Sequence, residues 1–413
     1  MSADHDITVI GGGLAGASLA CALADTGLSI ALVEAVRFDT PADEPTDEPK
    51  VDNMRARTTA IAWGTRALFE QLGLWSAMSA DAAPIERLHV SQQGAFGRVR
   101  VDAADYDLPA LGYVLPNTAL ITALRERLAG LAGVEIIAPA RFEALRQADG
   151  AVEIDIARDD GAMETRSTRL VIGADGARSS VREALGIGAR VDDYAQRALV
   201  TVIEPERAHG GCAFERFTPD GPVALLPRTP TSCAAVWTLP SETAERRVAA
   251  DEADFTAALQ AAFGQRLGRL ALAGPRGSYP LARVLAERAY GIRALLIGNA
   301  GHALHPAAAQ GFNLAIRDAL VFAAMLRERR AADPDFDPGD ADLLAAWAEA
   351  RRPDQHRVAN FTDAIVRVFS NRVPGLGAAR AAGLFGLSLA PGLRDDMARR
   401  SMGLALVPAG ARP

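Results

Sequence analysis

The chain has 413 residues, 49% of them hydrophobic and 23% charged, with a net charge of −7. Set against domains of about 100–200 residues, that length predicts two intimately packed domains or one large domain with an inserted lobe, and the acidic balance excludes a general nucleic-acid binder. Cys21, Cys212 and Cys233 form no C-x-x-C pair, which excludes a disulfide framework or structural zinc site and fits a reducing cytoplasm.

No run of about 20 apolar residues free of charge occurs, so no spanning helix is expected. Asp4, His5 and Asp6 stand where a secretory signal would be basic, so the protein is expected to stay inside the cell. Residues 351–413 carry ten Arg and four Asp with no Lys or Glu, a net +6, which leaves −13 for residues 1–350.

Ile7, Val9 and Ile10 read as a buried strand, followed at once by Gly11, Gly12, Gly13, Leu14, Ala15 and Gly16 and then by an Ala- and Leu-rich helix. In this G-x-G-x-x-G pattern Gly11 permits a tight turn, Gly13 lets a pyrophosphate approach the backbone and Gly16 allows close helix-to-strand packing. A second strand ends in Glu34, placed where a carboxylate can accept hydrogen bonds from a ribose. An ordinary βαβ turn is the plain alternative. Strand, helix, second strand and terminal acid together favour dinucleotide binding, with NAD and FAD both open at this point.

Residues 39–52 are acidic and proline-rich and read as an exposed loop. Residues 57–74 are expected to form a helix opened by Arg57, Thr58, Thr59 and Ala60, with Ile61, Leu68 and Leu72 on its buried face. Residues 116–130 predict another helix. Residues 141–157 and 168–174 predict strands around a hairpin at Asp159, Asp160 and Gly161. The second run delivers Asp175 and Gly176 into a loop carrying Arg178 and Arg182. Four short strands, at 199–203, 213–217, 223–226 and 234–239, predict an inserted antiparallel sheet forming one wall of a pocket. Phe214, Phe217 and Trp237 either line that pocket or are ordinary core aromatics.

A third apolar strand, 294–298, runs into Asn299, Ala300 and the segment from His302 to Asp318, with a helix to about Arg330. Two further helices are expected at 343–352 and 358–369, and a helical tail from Gly375. His302 and His305 form an i, i+3 pair without a third metal ligand nearby. No G-x-S-x-G elbow of a hydrolase is present. The four tryptophans form no Trp-x-Trp pattern of the flavin halogenases.

Three ordered segments now coincide: the glycine fingerprint, the run Gly173-Ala174-Asp175-Gly176-x-x-Ser179-x-Val181-Arg182, and residues 298–318. Together they closely resemble the single-component FAD-dependent aromatic hydroxylases, and within them the hydroxylases of ubiquinone biosynthesis. The likeness extends to Arg57-x-x-Ala60-Ile61, the strand Gly221-Pro222-x-Ala224-Leu225-Leu226-Pro227 and Phe369-Ser370-Asn371.

The resemblance implies an α/β fold. A Rossmann-like FAD-binding domain (1–76, 117–182 and 276–355) would carry an inserted antiparallel-sheet substrate domain (77–116 and 183–275) and a C-terminal helical region (356–413). It places the ADP half of FAD on Gly11, Gly13, Leu14, Ala15, Gly16 and Glu34. Asp175 and Gly176 match a motif tied to both FAD and reduced nicotinamide. Gly298, Asn299 and Ala300 would hold ribose and pyrophosphate, while Pro306, Gln310, Gly311, Phe312 and Asn313 lead a helix towards the flavin ring, which Arg57 approaches. Pro306, Gln310, Gly311 and Arg57 are therefore flavin-tuning candidates.

Two positions depart from the family pattern. The usual Gly-Asp at the ribose contact is Gly298-Asn299, a variant that resembles the branch acting on 2-polyprenyl-6-methoxyphenol. Ala309 stands where glycine is common.

The implied reaction is reduction of FAD by NADH or NADPH, addition of oxygen at flavin C4a to give a hydroperoxide, and oxygen transfer to the ring of a polyprenylated phenol. No side chain stands out as the base for the phenol proton. The cationic tail could rest on anionic lipid at the inner membrane, or be a lid packed on the FAD domain. A hydroxylase of small catabolic phenols, and a non-catalytic flavoprotein in a quinone-biosynthesis complex, are the rival readings.

Overall fold

The computed structural model describes residues 3–38, 57–95, 97–369, 380, 382–383, 386 and 390–404. The acidic segment 39–52, Ser370, Asn371 and most of the tail from 375 lie outside the described residues.

Ile7 and Val9 are fully buried because strand His5–Ile10 is covered on both faces, which is why its apolar residues run without alternation. It pairs in parallel with Ile30–Val33 on one side and Met163–Gly173 on the other. Val134–Ile137 and Ala294–Leu296 extend the parallel order outward. Antiparallel strands Ala140–Ala148, Ala151–Arg158 and Tyr290–Gly291 complete an eight-stranded sheet, a mixed α/β arrangement. Gly11, Glu34, Ala174 and Gly298 each follow the carboxyl end of one of these neighbouring parallel strands. That edge is where open α/β sheets bind ligands.

Helix Leu14–Leu23 is held against this sheet by helices Asn117–Ala129 and Gln310–Ala332. Leu19, Leu23, Leu120, Leu124, Phe322 and Trp347 meet in the shared core. Each such side chain contributes about 1.5–3 kcal/mol of transfer free energy.

The second sheet has nine strands, with Ala189–Pro205 pairing Gly277–Ala286 on one side and Ser232–Pro240 on the other. The order continues through Gly221–Thr229, Cys212–Thr218, Arg87–Gln92 and Arg98–Asp102, antiparallel except where Cys212–Thr218 meets Arg87–Gln92. Helices Ser241–Ala249 and Glu252–Phe263 cover one face, where Phe214, Trp237 and Phe255 form the core. Phe214 and Trp237 are thus core aromatics. Phe217, on the opposite face, stacks on Phe369 with ring centroids 4.0 Å apart.

Three expectations need correction. Residues 57–74 do not form one helix: Thr58–Ala62 is a strand paired with Gly112–Pro116, and the helix begins at Trp63. The β-branched Thr58, Thr59 and Ile61 suit a pleated surface, and a partner strand outweighs their helical spacing. The run 141–157 is two strands, turned at Asp149 and Gly150. The two helices at 343–369 are one, Ala341–Phe369, with Pro353 inside it. Arg351 and Asp354 bridge across the proline, and Leu344, Trp347, Val358 and Thr362 keep one buried face through it.

Candidate active site

The glycine loop is shaped by close backbone approach. Gly11 has φ 102°, and a Cβ there would lie 2.7 Å from the Ala174 carbonyl oxygen; one at Gly16 would lie 1.9 Å from the Gly11 oxygen. A Cβ at Gly13 would meet nothing within 4 Å, so that position faces open space. Helix Leu14–Leu23 starts there with no capping side chain and no acid in its first turn. The amides of Leu14, Ala15 and Gly16 are left as donors at the positive end of a helix, a ready anion site. Glu34 accepts hydrogen bonds from the Gly12 amide at 2.6 Å and the Val36 amide at 2.9 Å. Each of its oxygens keeps acceptor capacity for a ribose hydroxyl.

Asp175 lies beside this loop, with its Cα 2.9 Å from the Cβ that Gly11 lacks. Its carboxylate accepts from the Ser179 hydroxyl at 2.5 Å and the Val181 amide at 3.1 Å, so its side chain braces the loop. Arg182 donates to the carbonyls of Ala177 and Ala300, tying the loop to the third glycine segment. Gly176, at φ 92°, faces open space. Gly298, at φ 63°, is wedged between Ala15 and Ala315, where a Cβ would come within 3.1 Å of the Ala15 Cβ. Asn299 is exposed and Ala300 buried. The three segments therefore converge, although more than 280 residues separate Gly11 from Gly298 in the sequence.

Pro306 leads a short turn, Ala307–Ala309, into helix Gln310–Ala332. Ala309 has φ 50°, the left-handed region, which is the physical reason glycine suits this position. The helix has no capping side chain and no acid in its first turn, and a Cβ at Gly311 would meet nothing within 4 Å, so this is a second open helix start. Phe312 packs 6.2 Å from Phe69, and Gln310 is buried with its amide directed at the Ser401 carbonyl. The Asn313 side chain donates to the carbonyls of Ala60 and Ala309 and accepts from the Ala62 amide and the Thr65 hydroxyl. Its amide is thereby committed to protein, and it clamps strand Thr58–Ala62 to the helix.

Arg57 stacks over Tyr279, with its guanidinium carbon 3.9 Å from the ring centroid. Together with Thr58, Thr59, Asn117, Val200 and Val236 they line a cavity of about 170 Å³ between strand Thr58–Ala62 and the nine-stranded sheet. Asn117, Tyr279 and Val236 carry no motif, so sequence reasoning passed over them; the pairing of distant strands brings them here.

Behind this region lies a buried ionic network. Asp318 accepts from Arg351, His302 and Gln355, and Asp354 accepts from Arg351 and Arg317. Burial pushes the Asp318 carboxyl up, but His302 and Arg351 outweigh it, so its pKa ends below the usual carboxylate value. His302 thus serves as a partner of Asp318. His305 accepts from the Ala307 amide and meets Tyr194 edge-on, and burial pushes it down to about 4, so it is neutral near pH 7.

Open glycine positions and two uncapped helix starts at the carboxyl edge of a parallel sheet suit a dinucleotide with a pyrophosphate and a charged ring. Fold and site together define a flavin-dependent monooxygenase. The model of the FAD binding domain matches residues 4–362. Among curated proteins, the ubiquinone hydroxylase UbiL of Rhodospirillum rubrum is 36% identical over 96% of this chain and 89% of its own length. The 3-demethoxyubiquinol 3-hydroxylase of Escherichia coli is 30% identical over 97% and 98%. Among solved structures, p-nitrophenol 4-monooxygenase PnpA of Pseudomonas putida superposes with a TM-score of 0.75 at 17% identity, covering 97% of this chain and 98% of that one. The chain belongs to the FAD-dependent aromatic monooxygenase family, in the group of ubiquinone-biosynthesis hydroxylases, and FAD is its cofactor.

Proposed function

We propose that this enzyme hydroxylates the aromatic ring of a polyprenylated phenol in ubiquinone biosynthesis, consuming oxygen and NADH or NADPH. The observation that carries this reading is the cavity bounded by Arg57, Asn117 and Tyr279, between the nine-stranded sheet and the strand that Asn313 clamps to the second open helix start. The relatives' names, a ubiquinone hydroxylase and a 3-demethoxyubiquinol 3-hydroxylase, support a substrate on the way to ubiquinone.

In this reading Gly13, Leu14, Ala15 and Gly16 hold the pyrophosphate by their amides, and Glu34 holds the adenosine ribose. Asp175, Gly176, Gly298, Asn299 and Ala300 frame the rest of the FAD. Bound FAD, once reduced, activates dioxygen for transfer to an electron-rich ring. The open helix start at Gln310 and Gly311 offers positive potential to the negative charge of a reduced flavin without any charged side chain. Arg57 is fixed by its stacking on Tyr279, and Val200 and Val236 would give the reacting ring an apolar wall against water. The nine-stranded sheet would be the substrate lobe.

Among the described residues no helix is long and apolar enough to cross a membrane. A cytoplasmic enzyme touching the inner membrane peripherally suits a prenylated substrate. Helix Pro391–Ser401 nevertheless favours the lid reading for its own part of the tail. Ala398 and Met402 are buried beside Trp63, and the Met402 carbonyl accepts from the Gly64 amide.

The test is turnover of a short-chain prenylated phenol under isotopically labelled dioxygen, with label in the product ring as the expected result. A small catabolic phenol as the better substrate would favour that rival. NAD(P)H oxidation indifferent to any phenol would favour the non-catalytic flavoprotein.

A further inference from the structure

A phenol hydroxylase needs a group to take the phenolic proton, and among the described residues the side chains of the glycine segments are engaged in bracing their own loops: Glu34 holds the Gly12 and Val36 amides, and Asp175 the Ser179 hydroxyl and Val181 amide. The nine-stranded sheet offers another carboxylate. In strand Cys212–Thr218, Phe214 points into the core under helix Glu252–Phe263, so Glu215 points to the other face. The register carries that face across the sheet: Glu215 opposes Ala224, Ala224 opposes Val236, and Val236 opposes Val200. Directly opposed residues share a face, and Val236 and Val200 line the cavity with Arg57, Asn117 and Tyr279. Glu215 therefore stands on the cavity face, two strands or roughly 10 Å from Val236, with only the short Ala224 between them.

Protein surrounds Glu215, and the residue keeps some accessible surface. Among the described residues it makes no hydrogen bond or ion pair. Helix Ala341–Phe369 meets this face through Phe369 on Phe217, and its Asp363 is taken by Arg283 and Arg367. Burial raises the Glu215 carboxyl to about 7, and no charge offsets it. A carboxylate enclosed without a partner is costly to a fold. Its basicity, lifted towards that of a phenol, is what proton transfer near neutral pH requires.

We propose that Glu215 is the catalytic base of the hydroxylation, accepting the proton of the substrate's phenolic hydroxyl. The O–H bond breaks, its electron pair stays on the ring oxygen, and the proton passes to a carboxylate oxygen to give the neutral acid. The ring becomes more nucleophilic at the carbon that takes oxygen, and the acid later returns the proton to the product hydroxyl. This assignment rests on the phenol-hydroxylase reading above.

The test uses the FAD-loaded full chain, a short-chain prenylated phenol as substrate and 4-nitrophenol as an optical probe. Wild-type product formation should fall as pH drops through about 7. E215Q should keep its FAD, lose that acid limb and form product roughly 100-fold more slowly. The phenolate band of bound 4-nitrophenol should titrate in two coupled steps in the wild type and in one step in E215Q. E215D should keep an acid limb at a displaced pH. Wild-type turnover with an intact acid limb in E215Q would overturn the assignment. If E215Q does not retain FAD, an E215D limb unmoved from the wild-type position overturns it instead. A two-step titration in a wild type that hydroxylates no phenol would leave Glu215 as proton acceptor and remove the functional reading alone.

Discussion

Ala309 shows how one residue records both a constraint and a departure from it. Its φ of 50° is costly for any residue with a Cβ, by roughly 1–2 kcal/mol, and glycine returns part of that gain as unfolded-state entropy. A309G should therefore raise stability by up to about 1 kcal/mol in denaturant unfolding. Asn299 is the opposite case, an exposed side chain beside the buried Gly298 and Ala300. N299A should leave the stability of the apoprotein unchanged and weaken FAD retention, read by flavin fluorescence titration. Equal flavin affinity would remove Asn299 from the ribose contact. The family resemblance marked both positions as departures, but the reason at 309 is a backbone angle that only the folded chain displays.

At the scale of elements, the clamp made by Asn313 joins a strand and a helix some 250 residues apart in the chain. N313A would orphan the Ala62 amide and the Ala60 carbonyl, each worth about 1–3 kcal/mol when buried. It should lower both the melting temperature and flavin affinity, because the clamped strand follows Arg57. The network around Asp318 joins helix Gln310–Ala332 to helix Ala341–Phe369 in the same way. D318N leaves Arg351 with Asp354 alone and strips His302 of its carboxylate, and should cost up to about 3–5 kcal/mol, read by chemical denaturation. A residue-type pattern could place Asn313 next to a flavin motif. It could not reveal that the amide is already committed to protein, since three of its four partners, Ala60, Ala62 and Thr65, lie some 250 residues away.

For the whole molecule, acid sensitivity follows from two buried histidines. His305 is pushed down to about 4 by burial, and His89 is pushed down to about 4 by burial and by the nearby Arg266 and Arg100. An unfolded histidine takes its proton near 6.5, so between about 6.5 and 4 the unfolded chain binds more protons than the folded one. Stability is then full above 6.5 and falls as pH drops through that window. Phenylalanine in place of His89, which packs on Phe214 with both ring nitrogens unpartnered, should flatten the fall in pH-dependent melting. FAD should act in the other direction, adding about 2.7 kcal/mol at a concentration 100 times its dissociation constant, seen as a concentration-dependent melting temperature.

Local patterns carried the glycine fingerprint, the acid at Glu34, the Asp-Gly turn and the family, because each is a short-range requirement: a glycine where a Cβ would strike backbone, an apolar run where both faces are covered. Those same residues give the α/β class. What folding alone decided is long-range. Strand pairing turned residues 58–62 from an expected helix into a strand, shared packing carried a helix through Pro353, and sheet register put Glu215 on the same face as Val236 and Val200. Hydrogen-bond partners and burial are properties of the assembled sheets and helices. A window of neighbouring residues holds no record of which distant strand will lie across from it.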